Sequence, residues 1–218
     1  MVDKMLAEKK ETLIKYLIRT GHLKTDRIIR AFRNVPREVF VPTHLKDYAY
    51  VNEPLPIGEG QTISQPLTIA DMTEALEPRP GQKILEIGAG SGYQAALLAE
   101  IVGDKGRIIS VERVKKLAEE ARQRIKKLGY KNILIVVGDG SVGYVKEAPY
   151  DRIIVTCAAP AVSEPLKEQL KTGGIMIIPV GSWLQEIFKI KKTNSGFEKQ
   201  SLGFYQFVPL IGKYGFSH

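Results

Sequence analysis

The chain has 218 residues, with 32 Lys and Arg against 24 Asp and Glu, which gives a net charge of +8. Apolar residues make up 44 % and charged residues 26 %, which is typical of globular proteins and excludes a disordered or membrane-embedded chain. The N-terminus lacks a signal-peptide core, and the single cysteine, Cys157, excludes a disulfide framework. We therefore expect a cytoplasmic protein without a structural metal site.

The first third of the chain predicts helices and an ordered loop. Apolar residues at helical spacing predict helices over residues 4–20 and 26–35. Residues 36–62 contain four prolines and two glycines, and an ordered loop of that length inside a domain is usually functional. A further helix is predicted over residues 67–76, directly after Pro66.

From residue 83 the pattern alternates between apolar strands and amphipathic helices. The predicted strands are 83–87, 107–112, 132–137, 152–156 and 174–179. The predicted helices between them are 93–102, 114–128 and 164–170. Nearly continuous apolar strands separated by helices indicate a doubly wound α/β sheet whose strands are mostly parallel and covered on both faces.

The end of the chain predicts antiparallel strands. Residues 186–192 and 197–203 form a predicted hairpin around a Thr-Asn-Ser-Gly turn, and residues 204–210 form an apolar, strand-like run. We expect a single domain over residues 1–218. Its expected parts are an N-terminal helical segment with a substrate loop, a ligand-binding core and the C-terminal antiparallel strands, at 1–78, 79–181 and 182–218.

A glycine-rich turn follows the first core strand. Gly88, Gly90 and Gly92 have the spacing G-x-G-x-G, whereas a dinucleotide fingerprint has G-x-G-x-x-G and would place Gly or Ala where this chain has Tyr93. The carboxylate of Glu86, just before the turn, suits a cationic ligand better than a diphosphate. S-adenosyl-L-methionine fits, since it has an ammonium, a sulfonium, a ribose and an adenine but no phosphate.

Two further acidic residues follow the next two core strands. A carboxylate at Glu112 can accept hydrogen bonds from both ribose hydroxyls. Asp139 lies between Gly138 and Gly140, where a carboxylate can accept from an adenine amino group while the backbone approaches the ring. The order of these features favours the class I S-adenosylmethionine-dependent methyltransferase fold over a nicotinamide-dependent oxidoreductase.

Several stretches of the sequence resemble the protein L-isoaspartate O-methyltransferase family. They are residues 53–66 (EPLPIGEGQTISQP), 84–99 (ILEIGAGSGYQAALLA), 111–113, 138–140, 148–156 (APYDRIIVT), 170–181 (LKTGGIMIIPVG) and 207–212 (FVPLIG). Many methyltransferases share the glycine turn, but the combination of QTISQP with a terminal FVPLIG is much more specific. The sequence departs from the family at Leu67, where many members have an aromatic residue or histidine.

The resemblance implies methyl transfer from S-adenosyl-L-methionine, with S-adenosyl-L-homocysteine as product, to the free α-carboxylate of L-isoaspartyl residues in damaged proteins and peptides. The ester then cyclises to a succinimide, and hydrolysis returns part of it to normal aspartate. The catalytic serine of the family falls on Ser64, and Thr62, Ile63, Gln65 and Val208 are the expected substrate-binding residues.

Other interpretations remain open from the sequence. Ser64 precedes a predicted helix and can equally be its N-cap. Basic stretches over residues 1–50 and 113–131 are typical of solvated helix faces, but they leave open a class I methyltransferase that acts on RNA or on a small carboxylic acid. Trp183 is expected to be a packing residue. We expect a monomer whose partners are isoaspartyl proteins and peptides, with neither nucleic acid nor membrane among them.

Overall fold

A computed structural model describes residues 2–217, with side chains from Lys4 onward. Its centre is a seven-stranded sheet with the order β5-β4-β3-β6-β7-β8-β9. The strands of this sheet are β3 (Lys83–Ile87), β4 (Arg107–Glu112), β5 (Ile133–Val137), β6 (Tyr150–Val155), β7 (Leu170–Val180), β8 (Gln185–Thr193) and β9 (Gly196–Tyr205). The helices of the core are α4 (Tyr93–Val102), α5 (Lys115–Lys127) and α6 (Glu164–Gln169).

The sheet is parallel in its first five strands and antiparallel in its last two. Strand β3 pairs in parallel with both β4 and β6, so the chain order reverses at β3. Strands β8 and β9 pair antiparallel at the end of the sheet. Because ligands bind outside the carboxyl ends of parallel strands at such a reversal, the ends of β3, β4 and β6 are the expected site.

The N-terminal part adds helices and a small hairpin to this core. Its elements are α1 (Val2–Arg19), α2 (Asp26–Asn34), β1 (Leu55–Gly58), β2 (Gln61–Ile63) and α3 (Pro66–Leu76), with 3₁₀ helices at Arg37–Val39 and Thr43–Tyr48. Apolar side chains of α1 and α2 form one buried cluster with α4 and α5, while α3 packs with β3 and β7. The hairpin therefore rests on a fixed base near the carboxyl edge of the sheet.

The structure corrects three expectations. Residues 36–62 are not only loop, because the antiparallel hairpin β1–β2 forms within them. The predicted strand over residues 204–210 ends at Tyr205, and the described residues beyond it make only isolated bridges, Pro209 with Ala158 and Ile211 with Phe216. Trp183 is not a packing residue, since 92 % of it is exposed in the β7–β8 turn.

Among the described residues, no helix combines the length and the apolar character that crossing a membrane requires.

Candidate active site

The glycine turn between β3 and α4 brings the backbone close to its neighbours. Gly88 has a φ of +94°, and a Cβ there would lie 2.4 Å from Oγ1 of Thr156. A Cβ on Gly140 would lie 2.4 Å from Cγ2 of Ile87. Because both positions lack room for a side chain, they leave bare backbone at the carboxyl ends of the strands.

A cavity opens directly above this turn. Its floor includes Glu86, Ile87, Gly88, Ala89, Gly90, Ser91, Val111, Glu112, Gly140, Thr156 and Cys157. Two segments from opposite ends of the chain cover it: residues 61–64 of the β1–β2 hairpin and residues 208–211. An ion pair of 2.9 Å between Glu59 and Lys116 joins the tip of the hairpin to α5. The cavity is thus enclosed by segments that the linear sequence keeps far apart.

Glu112 ends β4 and orients the glycine turn. Its Oε2 accepts a 2.8 Å hydrogen bond from the backbone N–H of Gly90, and its Oε1 accepts one of 2.8 Å from the N–H of Val114. The side chain is buried and lines the cavity. The carboxylate therefore has a fixed direction, and each oxygen keeps further lone pairs for a bound ligand.

Glu86 is a buried carboxyl group beneath the cavity. It is fully buried, its Oε2 accepts a hydrogen bond from the hydroxyl of Ser110, and its Oε1 has no partner among the described residues. Burial raises the pKa of Glu86 to about 8; the Ser110 hydrogen bond opposes this rise and the charge of Glu112 adds to it. A buried carboxyl oxygen without a partner, on a residue that lines a cavity, favours a cationic or hydrogen-donating ligand.

Ser64 lies in the cavity wall, between β2 and α3. The N-cap of α3 is Gln65, followed by Pro66, so the alternative that made Ser64 the N-cap is wrong. Asn52 caps the helix instead, because its Oδ1 accepts a 3.0 Å hydrogen bond from the N–H of Leu67. The hydroxyl of Ser64 makes no hydrogen bond within the described part of the chain, whereas its carbonyl accepts one from Arg37.

Residues 8–215 match the family model described as protein-L-isoaspartate(D-aspartate) O-methyltransferase. The chain belongs to this family. A protein-L-isoaspartate O-methyltransferase of Methanopyrus kandleri is 52 % identical over 217 residues, which cover 98 % of this chain and 96 % of the relative. The corresponding protein of Ignicoccus hospitalis is also 52 % identical and covers 94 % of this chain and 99 % of the relative.

Solved structures of the isoaspartate methyltransferase family have the same fold. A protein-L-isoaspartate O-methyltransferase superposes with a TM-score of 0.86 at 34 % identity, covering 94 % of this chain and 67 % of that one. A protein from Plasmodium falciparum, solved in complex with S-adenosyl-L-homocysteine, superposes with a TM-score of 0.83 at 27 % identity. The latter match covers 92 % of this chain and 97 % of that one. The class I methyltransferase fold predicted from the sequence is confirmed.

The cavity of this methyltransferase brings together most of the residues that the sequence singled out. Those that line it are Thr62, Ile63, Ser64, Glu86, Gly88, Gly90, Glu112, Gly140 and Val208. Gly92 lies behind the turn, where a Cβ would lie 3.3 Å from that of Ala121. Gln65 also lies outside the lining, since its side chain donates a 2.8 Å hydrogen bond to the carbonyl of Asn52.

The carboxylate of Asp139 faces the C-terminal segment instead of the cavity. Its Oδ1 accepts hydrogen bonds from the N–H and the hydroxyl of Ser141, and its Oδ2 accepts a 2.8 Å bond from the N–H of Lys213. Burial raises the pKa of Asp139, but these hydrogen bonds outweigh burial and hold the pKa below its ordinary value. The side chain therefore fastens residues 212–214 beside the cavity, and its contact with an adenine amino group stays a prediction.

Four further residues contribute to the site, and one of them, Arg37, was not predicted from the sequence. Leu210 and Ile211 of the FVPLIG stretch line the cavity, although Leu210 was expected to end a strand. Tyr93 also lines the cavity and packs edge-on against the ring of Phe40, at 5.4 Å between centroids. Arg37 lies behind Ser64, and nothing in the local sequence distinguished it from the other basic residues of the N-terminal helices.

Proposed function

We propose that this protein transfers a methyl group from S-adenosyl-L-methionine to the free α-carboxylate of L-isoaspartyl residues in proteins and peptides. The observation that carries the proposal is the position of Ser64 in the wall of the cavity that Glu86 and Glu112 also line. One cavity thus combines a neutral hydroxyl, suited to an anionic substrate, with carboxyl groups suited to a cationic cofactor. Full-length relatives named for this activity support the same conclusion.

The donor groups of the cavity fit S-adenosyl-L-methionine. The unpartnered Oε1 of Glu86 suits the ammonium group of the cofactor, and the fixed carboxylate of Glu112 suits its ribose hydroxyls. Gly88, Gly90 and Gly140 provide backbone surface without side chains, and Gly92 lets the turn enter α4. When bound, the cofactor supplies an electrophilic methyl group on a positively charged sulfur.

The substrate needs little activation by the protein. A carboxylate with a reference pKa near 3.9 is ionised at neutral pH, so its oxygen needs no general base. Opposite charges on the nucleophile and the sulfonium neutralise each other as the bond forms, so water stabilises the separated reactants more than the transition state. Positioning the reactants and excluding water therefore provide most of the rate.

The hairpin and the C-terminal segment supply that positioning. We assign to the hydroxyl of Ser64 a hydrogen bond that orients the substrate carboxylate without neutralising its charge. Thr62 and Ile63 on one side and Val208 on the other face the cavity, where they contact the substrate main chain. Gln65 acts through the turn that it shares with Asn52. An isoaspartyl residue moves the main chain by one methylene, which these surfaces distinguish from aspartate.

We also propose a cellular location, an oligomeric state and a domain organisation for the protein. Its one cysteine, Cys157, is buried, and burial raises the pKa of its thiol, which fits a structural residue in a reducing compartment. We propose a cytoplasmic monomer that acts on damaged proteins. The chain forms one domain with the three parts 1–78, 79–181 and 182–218, of which the first and last cover the cofactor-binding core.

Paired peptides test this function. The purified protein is incubated with methyl-labelled S-adenosyl-L-methionine and with peptides that differ only in L-isoaspartate or L-aspartate at one position. We expect label on the isoaspartyl peptide and at least tenfold less on the aspartyl peptide. Transfer of label to RNA or to small carboxylic acids, with none to the isoaspartyl peptide, would show a different methyltransferase.

A further inference from the structure

Arg37 is a buried cation directly behind Ser64. The residue is 1 % exposed, in the 3₁₀ helix Arg37–Val39. Its Nε donates a 2.8 Å hydrogen bond to the carbonyl of Ala49, and its Nη2 donates one of 2.8 Å to the carbonyl of Ser64. Its guanidinium carbon lies 5.2 Å from the centre of the Tyr93 ring. This side chain therefore joins the first 3₁₀ helix, the end of the second and the turn before α3.

The environment of Arg37 is unusual for a buried charge. Within the described residues it forms no ion pair with a carboxylate, and its Nη1 has no hydrogen-bond partner. Burial lowers the pKa of Arg37 to about 10, so the group is still a cation at neutral pH. A buried, unpaired charge is unfavourable, and an apolar side chain of similar volume would fill the space without that penalty. Packing alone therefore does not explain the guanidinium.

The planar fork of Arg37 offers an explanation. It bridges two carbonyl groups that lie 15 residues apart in the chain, which an apolar side chain or a single point donor does not reproduce. Because a peptide unit is planar, the hydrogen bond to the Ser64 carbonyl fixes the plane between Ser64 and Gln65. That plane sets the direction in which the side chain of Ser64 leaves the backbone.

We propose that Arg37 is a positioning residue for methyl transfer, which holds Ser64 at the angle where its hydroxyl orients the substrate carboxylate. This inference rests on the proposed function. It explains a cation that lies outside the cavity lining yet bonds to a residue within it. Because Arg37 acts through Ser64 and does not itself pair with the substrate carboxylate, it leaves the negative charge of that nucleophile intact.

The test compares two buried arginines. Arg152 is 7 % exposed and also donates to carbonyl groups, those of Leu76 and Asp151, but it lies outside the cavity. We expect Arg37→Lys to lower kcat/KM for the isoaspartyl peptide by about 10- to 100-fold. Its Kd for S-adenosyl-L-homocysteine, measured by calorimetry, stays within about threefold of the parent value. Arg152→Lys leaves the activity of the folded protein within about threefold.

A double-mutant cycle tests whether Arg37 acts through Ser64. In a Ser64→Ala background, we expect Arg37→Lys to change kcat/KM by less than about threefold, because the hydroxyl that it positions is already gone. If the two substitutions lower kcat/KM independently, so that their effects multiply in the double variant, the inference is overturned. An Arg37→Lys enzyme with parental kcat and KM would also overturn it.

If Arg37→Lys does not fold, Arg37→Gln is judged by the same measurements. If Arg37→Lys and Arg37→Gln both lose binding of S-adenosyl-L-homocysteine, Arg37 is a purely structural residue, and the inference is again overturned. A parent protein that does not methylate the isoaspartyl peptide refutes the proposed function itself.

Discussion

The backbone N–H of Gly90 donates a 2.8 Å hydrogen bond to the carboxylate of Glu112, which ties the glycine turn after β3 to the end of β4. One carboxylate thus shapes the turn that we propose holds the cofactor, and it also faces the cavity. The proposed cofactor site depends on this bond because the glycine turn has few side chains of its own to fix its shape.

Replacing Glu112 with alanine is expected to weaken cofactor binding. The change removes the acceptor of the Gly90 and Val114 hydrogen bonds and the proposed acceptor of the ribose hydroxyls. Since hydrogen bonds to a charged group contribute about 1.5–3 kcal/mol each, the Kd for S-adenosyl-L-homocysteine rises by at least about tenfold. Calorimetry measures it, with Glu119→Ala on the exposed face of α5 as control. Unchanged affinity would refute the ribose contact.

Cofactor binding is expected to release a proton from Glu86. With a pKa of about 8, this buried carboxyl group is mostly protonated at pH 7 in the free protein. A bound ammonium group lowers that pKa, so the proton leaves, and affinity for S-adenosyl-L-homocysteine increases from pH 6 to pH 8. Calorimetry in two buffers of different ionisation enthalpy counts the protons. Glu86→Gln should abolish the release. Binding of the parent protein without proton release would show that Glu86 stays neutral beside the ligand.

Ser64→Ala is expected to separate catalysis from cofactor binding. The variant loses the hydroxyl to which we assign the orientation of the substrate carboxylate, so we expect turnover of the isoaspartyl peptide to fall by about 10- to 100-fold. Affinity for S-adenosyl-L-homocysteine stays at the parental level, because the glycine turn and Glu112 are untouched. Ser195→Ala, in the exposed β8–β9 turn, serves as the control for a serine-to-alanine change. Full turnover by the Ser64 variant would remove this residue from the mechanism.

Gly88→Ala is expected to lower stability through overlap with Thr156. A Cβ at residue 88 would approach Oγ1 of Thr156 to 2.4 Å, whereas a Cβ at Gly103 meets no atom within 4 Å. Both positions have positive φ, so Gly103→Ala controls for backbone strain. Overpacking of about 1–3 kcal/mol corresponds to a Tm about 2–10 °C lower than that of the control. Equal melting temperatures would mean that the turn yields to the added methyl.

Asp139→Asn is expected to loosen the C-terminal segment beside the cavity. The amide nitrogen of asparagine cannot accept a hydrogen bond. The variant therefore loses either the acceptor for Ser141 or the acceptor for Lys213. Hydrogen exchange at the amides of Lys213 and Tyr214 becomes about tenfold faster, with Asp104→Asn in an exposed loop as control. In the parent protein, acid reduces the protection of these amides relative to their intrinsic exchange at the same pH, because a lowered pKa stabilises the fold only while the carboxyl group is ionised. Parental exchange rates in the variant would contradict the contact.

The sequence by itself determined the order of the core elements and the glycine turn. Strand β3 and helix α4 have the predicted bounds, Lys83–Ile87 and Tyr93–Val102, because buried strands and helices have local patterns of apolar residues. The turn between them is equally local, since glycine alone adopts its backbone angles without strain. The family resemblance placed Ser64 in the same way, from a contiguous stretch of residues.

Only the tertiary structure decided which groups meet at the site. The carboxylate of Asp139 bonds to Lys213, 74 residues further along, and Arg37 bonds to Ser64 across 27 residues. Neither contact leaves a periodic or local signal, since a hydrogen bond between distant residues depends on where the chain returns in space. For the same reason, the sequence did not determine that Trp183 lies exposed in a turn. Local patterns of residues determined the secondary structure, whereas the packing of residues 61–64 and 208–211 over the sheet determined the shape of the site.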